Sequence, residues 1–132
     1  MGAPLTLTLS WIAVGLGAVL GAWLRWGLAL WLGSAHGKLN LGTLAANLGG
    51  GYLVGLALGF FTAYPQLPPQ WRLFVVTGFL GGLTTFSSFS GESMLLIERG
   101  DYGWALVHSA VHLLGALACC MAGFATWRAL SA

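Results

Sequence analysis

The sequence predicts an all-α membrane protein of four transmembrane helices. Three observations carry that expectation. Of 132 residues, 58% are hydrophobic and only 6% are Asp, Glu, Lys or Arg, where soluble domains carry about a quarter charged residues. The apolar residues fall in four stretches, each long enough for the ~20 helical residues that cross hydrocarbon. Glycine reaches 21 residues with no collagen period, as expected of helices packed closely in a bilayer. The same figures argue against a soluble enzyme, a disordered regulator and a nucleic-acid binder. Five basic against three acidic residues leave a net charge of +2, too small for a phosphate-tracking patch.

The first span runs near 5–32 and holds one charge, Arg25. The second, near 41–64, has none. The third, near 73–97, has one, Glu92, and the fourth, near 102–127, has none but holds His108 and His112. Between them, 33–40 is small and polar, 65–72 contains three helix-breaking prolines, and 98–101 reads as a tight turn. The tryptophans fall mostly toward span ends, as interfacial Trp does. No basic residue precedes the first apolar run, which is too long for a signal-peptide core, so no cleavable signal is expected. The chain therefore reads as one transmembrane domain, 1–132. Its adjacent cysteines, Cys119 and Cys120, have no metal-ligand spacing and read as small packing residues.

Orientation follows the Lys/Arg bias between loops. Arg72 and Arg128 lie on the side of the termini; Lys38 and Arg99 lie on the other, with Arg25 inside a span nearer that end. Bias is nearly absent. One fixed orientation under a weak preference and insertion in both orientations are each compatible with it. Insertion both ways allows an antiparallel dimer, the two-chain counterpart of an inverted repeat.

In the second span Thr43, Asn47, Gly51, Gly55 and Gly59 recur every fourth residue and form a stripe on one helix face. The glycines permit close backbone approach. Asn47 reads either as interhelical glue or as pore lining, since an amide at mid-span needs a partner or water. In the third span Gly81-Gly82 is followed by Thr84-Thr85, poor helix material near mid-membrane. One reading is a continuous helix with small packing residues. The other is a break whose carbonyls, such as Gly81 and Thr84, bind a desolvated Na⁺-like cation. Phe86 and Phe89 share a face after this point, with Ser87 and Ser90 on the adjacent face. Aromatic edges carry partial positive charge and can meet a small anion, although such a pair also suits a core. Glu92 is an intramembrane carboxylate and so a functional candidate. His108 and His112 stand at i, i+4, which suits a metal, yet a third ligand is missing; a polar track or interhelical hydrogen bonding is the favoured reading. Arg25 either faces a vestibule, attracting anions, or snorkels.

At these residues the sequence resembles the Fluc/CrcB family of fluoride channels. The segment from Gly81 to Ser87 matches that family's third-span signature, supported by Gly42-Thr43-Leu44, Asn47, Gly50 and Gly55 in the second span and by Gly21-Ala22 with Arg25 in the first. The resemblance implies an antiparallel, dual-topology homodimer in the bacterial inner membrane. It implies two fluoride pores and a structural Na⁺ held by the Gly81 and Thr84 carbonyls where the broken third helices cross. It assigns fluoride-facing edges to Phe86 and Phe89 and a donor to Asn47. Polar contacts would come from Thr85, Ser87 and Ser90, a family carboxylate position falls on Glu92, and a polar track on His108 and His112. Ala116 continues that track without a polar group. The implied function is passive fluoride export down its electrochemical gradient, protecting against fluoride toxicity, with no catalysed chemistry. The rival readings are a small dual-topology, proton-coupled multidrug exporter and an assembly subunit held by its glycine faces. The first depends on a carboxylate in the first span, where this chain has Arg25 and no acid; the second leaves the Thr/Ser/Phe cluster unexplained.

Overall fold

Long apolar stretches can satisfy their backbone away from water only by closing their hydrogen bonds internally, so they form helices. The computed structural model describes residues 2–35 and 38–132. It contains α1 (Ala3–Leu32), an antiparallel hairpin of two-residue strands, β1 (Ser34–Ala35) and β2 (Leu39–Asn40), and α2 (Leu41–Ala63). After these come α3 (Pro69–Arg72), a π-helical segment (Leu73–Leu80), α4 (Gly81–Leu83), α5 (Phe86–Glu98) and α6 (Tyr102–Leu130). From α3 to α5 the chain is one interrupted span, Pro69–Glu98, so four helices among the described residues are long and apolar enough to cross a membrane. Residues 36 and 37 of the first connector lie outside the described residues.

Two helices begin earlier than the apolar pattern suggests. Pro4 and Pro69 each occupy the first turn, where an N–H would have no intrahelical acceptor and the fixed proline φ suits the helix. The prolines read as breakers thus include one that starts a helix. Asn40 caps α2, its Oδ1 accepting from the Thr43 N–H at 3.1 Å.

The third span is broken at Thr84 (φ −84°, ψ 150°) and Thr85 (φ −149°, ψ 121°), two consecutive extended residues. The glycines Gly81 and Gly82 remain helical. The π-helical run before the break was not expected, because its apolar composition reads as an ordinary helix.

Backbone-to-backbone packing sets the layout. Gly17 and Gly21 of α1 meet Gly78 and Gly82 of the third span, so two small-xxx-small faces cross. A Cβ on Gly21 would stand 2.7 Å from the Leu83 nitrogen, and one on Gly82 would stand 3.0 Å from the Ala18 Cα. On the other side, Gly51 and Gly55 of α2 pack on the backbone of α6 at Ala116 and Cys120, and Gly59 packs on the Trp127 ring. The glycine stripe is therefore a packing seam. Few large side chains are fully buried. The interior combines Ala46, Leu80 and Leu83 with Thr43, Asn47, Ser93, His108 and His112, while Trp11, Leu106, Leu113 and Leu117 face outward. Lys38 and Asp101 form an ion pair at 2.9 Å, joining the hairpin to the start of α6.

Candidate functional site

The break creates a backbone problem that one side chain solves. Asn47 Oδ1 accepts from the Thr85 N–H at 2.7 Å, and Asn47 Nδ2 donates to the Thr85 carbonyl at 2.9 Å. The amide therefore pairs both polar groups of an extended residue, as a neighbouring strand would. Its second N–H donates to His112 Nδ1 at 2.9 Å. Asn47 is only 6% exposed, and both its N–H groups are committed. It can meet an anion only by releasing one of these bonds.

The half of the span before the break ends with carbonyls whose regular donors are diverted. The Thr85 N–H, which would serve Gly81, goes to Asn47. The Ser88 N–H, which would serve Thr84, goes to Thr85 Oγ1 at 3.1 Å, capping α5. Gly82 is compensated differently: Arg25 Nε donates to its carbonyl at 3.1 Å. Arg25 thus acts on the end of a broken helix, favourable for a cation, a placement not derivable from its position in the first span alone. The Thr84 hydroxyl turns back to the Leu80 carbonyl at 2.8 Å.

Beyond the break, Phe86 and Phe89 stand edge to face at 4.7 Å between centroids. Phe89 also stacks on His112 at 5.1 Å. Phe86 is 73% exposed on the single chain. An open groove of about 320 Å³ runs along Asn47, Thr85, Phe86, Phe89 and His112. Thr85 Oγ1 and Ser87 Oγ lie 3.1 Å apart, and the Ser90 hydroxyl donates to the Phe86 carbonyl.

A second polar cluster continues the column. Glu92 Oε1 accepts from the Thr43 hydroxyl at 2.9 Å, and Glu92 Oε2 lies 3.0 Å from His108 Nε2. A carboxylate only accepts, so His108 donates there. His108 Nδ1 lies 2.7 Å from Ser93 Oγ, which is 2.8 Å from Ser109 Oγ. His108 and His112 are 4.5 Å apart between centroids. Asn47 donates to His112 Nδ1, so the proton of the neutral ring sits on Nε2. That buried Nε2 has no hydrogen-bond partner among the described residues. On the far side of Glu92, a recess of about 180 Å³ is lined by Lys38, Asn40 and Arg99.

The structure thus gathers Thr85, Asn47, Phe86, Phe89, His112, His108 and Glu92 into one column. Ser87 and Ser90 flank it, and Arg25 sits on the other side of the break. Ser93 and Ser109 were missed. The signal was present, since Ser87, Ser90 and Ser93 recur every third residue and Ser109 adjoins His108. Glu92 supplies the neighbour that the histidine pair lacks when read alone.

Residues 12–124 match the model of the family described as CrcB-like protein, Camphor Resistance (CrcB). The chain is also similar to curated proteins named "Fluoride-specific ion channel FluC". It is 56% identical to the one from Cupriavidus pinatubonensis over 93% of this chain and 98% of that protein. For Ralstonia pickettii the identity is 55% over 93% and 98%, and for Pseudomonas putida 52% over 92% and 96%.

Proposed function

The chain belongs to the CrcB-like family, and from that premise we propose that it is a fluoride-selective channel, carrying the anion passively down its gradient. The observation that carries this reading is the identity of more than half, over nearly full length, to relatives bearing that name. It is then an ion channel and not an enzyme, and the multidrug-exporter alternative is not favoured. Four apolar spans make it a multi-pass membrane protein; we place it in the bacterial inner membrane.

The column beside the break supplies the proposed path. Fluoride would meet the edges of Phe86 and Phe89, where a ring quadrupole offers weak positive charge without a cation's grip. The Thr85–Ser87 hydroxyl pair and the free Nε2–H of His112 would supply donors along it, with Ser90 and Asn47 joining by exchange of their bonds to the Phe86 carbonyl and to His112. His108 and Glu92 continue the track toward the Lys38–Arg99 recess, whose basic side chains attract anions. Selection would rest on a narrow pore with donors spaced for the smallest halide.

A second, inverted copy of the chain completes the proposal. It is supported by the weak charge bias and by the exposure of Phe86, which needs covering to wall a pore. The Gly81 and Thr84 carbonyls, deprived of their helical donors, suit a hard cation such as Na⁺, two from each chain. Bound there, the ion would supply fixed positive charge at the crossing.

Fluoride efflux from proteoliposomes, read with a fluoride electrode, tests the reading. Purified protein should release fluoride, and Phe86→Ile or Phe89→Ile should slow release severely while the dimer persists. Absent fluoride flux, with pH-driven efflux of a lipophilic cation instead, overturns the channel. Unchanged flux in both variants removes the aromatic edges from the path. Impermeant labelling of Lys38 in cells should find both sides of the membrane; one-sided labelling defeats dual topology.

A further inference from the structure

Glu92, His108 and His112 come from two different helices, yet one ligand atom of each lies within 4.8 Å of the other two. Glu92 Oε2 and His108 Nε2 are 3.0 Å apart. Ligands on a tetrahedral zinc sit about 3.3 Å apart, given bonds of about 2.0–2.1 Å, so this edge already has the span a metal needs. Both histidines are almost wholly buried, at 1% and 3% exposure. His112 carries a ring nitrogen without a partner among the described residues. We propose that Glu92, His108 and His112 form a binding site for a borderline divalent transition metal, with Zn²⁺ as its type, which blocks the ion path when occupied.

The surroundings support a ligand set. His108 must present a bare Nε2 to a metal, which moves its remaining proton to Nδ1, and Ser93 Oγ waits there at 2.7 Å to accept it. Such an outer partner fixes the ring's tautomer and orientation. The Thr43 hydroxyl holds the other Glu92 oxygen at 2.9 Å. His112 joins through its unpartnered Nε2. That step shifts its proton to Nδ1 and gives up the bond from Asn47, so His112 is the weakest of the three ligands. Imidazole and carboxylate together suit zinc and its neighbours in the first transition row. The recess lined by Lys38, Asn40 and Arg99 reaches the site, since Glu92 lines it too; its basic charge, offset at Lys38 by Asp101, slows a cation's entry without barring it. Block follows from position: His112 borders the groove beside Phe89, while Glu92 borders the recess. A metal between them closes the route. The binding claim stands alone, and only the block rests on the proposed channel function.

Zn²⁺ titration of the detergent-purified full chain by calorimetry, with Co²⁺ as an absorbing substitute, tests the site. Saturable uptake of one metal per chain is expected, with affinity falling about tenfold or more in His108→Gln and His112→Gln. His36→Gln, and Cys119→Ala with Cys120→Ala, should bind as the parent does. X-ray absorption of the zinc-loaded parent protein provides a readout that needs no variant, and should find two imidazole ligands and no sulfur. No saturable uptake by monodisperse protein, sulfur ligation, or unchanged binding in both histidine variants overturns the site. In proteoliposomes, Zn²⁺ should slow fluoride efflux from the parent protein relative to its own metal-free rate. If the metal binds and efflux is undiminished, the block is overturned. If metal-free protein conducts no fluoride, the channel reading fails while calorimetry still decides the metal site.

Discussion

The two halves of the third span are held in opposite ways. Before the break, Gly78 and Gly82 lie against Gly17 and Gly21, and contact is between backbones. After it, the span is tied by side chains: Asn47 to Thr85, Thr43 and His108 to Glu92, and Ser109 to Ser93. The first half is held mainly by shape, with a single Arg25 bond to the Gly82 carbonyl at its end. The second is defined by hydrogen bonds, which can be exchanged with a passing ion. A conducting path needs the second kind of contact, anchored on the first.

The comparison can be broken most severely at Asn47. Asn47→Leu would strand the N–H and carbonyl of Thr85, each costing about 1–3 kcal/mol when left buried and unpaired. We expect a stability loss of about 2–6 kcal/mol in reversible unfolding from detergent or bicelles, together with loss of fluoride flux. A variant as stable as the parent would show that Thr85 finds other partners and that the break does not depend on α2. In the other half, Gly21→Ala would push a Cβ into the backbone of residues 79–83. Overpacking of this kind costs about 1–3 kcal/mol, and the same unfolding measurement should register it. Gly91→Ala is the matched control with the smallest effect. It lies in α5 with open space around it, so alanine should be neutral or stabilise by about 0.5–1 kcal/mol. Equal losses at positions 21 and 91 would erase the distinction between the halves.

Much of this was legible from one sequence, because composition and spacing speak directly to helices in lipid. Four spans follow from apolar length, and the weakness at Thr84-Thr85 from residue type. Glu92 and Asn47 stood out because polar groups at mid-span demand partners. Their partners could not be read. Glu92 and His108 sit on different helices joined by a turn, and their meeting depends on how α5 crosses α6. The same holds for Arg25, whose acceptor is 57 residues away. Nor does Leu73–Leu80 differ in composition from an ordinary apolar helix, so its wider coil leaves no mark in the pattern. The histidine pair was discounted as a metal site for want of a third ligand, which only tertiary structure supplies.

That wider coil works as a phase adjuster. Each residue of an α-helix advances the side chains by about 100° around the axis, whereas a π-helical run advances them less. The run therefore determines the azimuth at which everything downstream emerges: Gly82 toward Ala18, and Thr85 toward Asn47. Removing a single residue from it would keep every downstream side chain and change the direction in which all of them point, for reasons that no individual contact reveals.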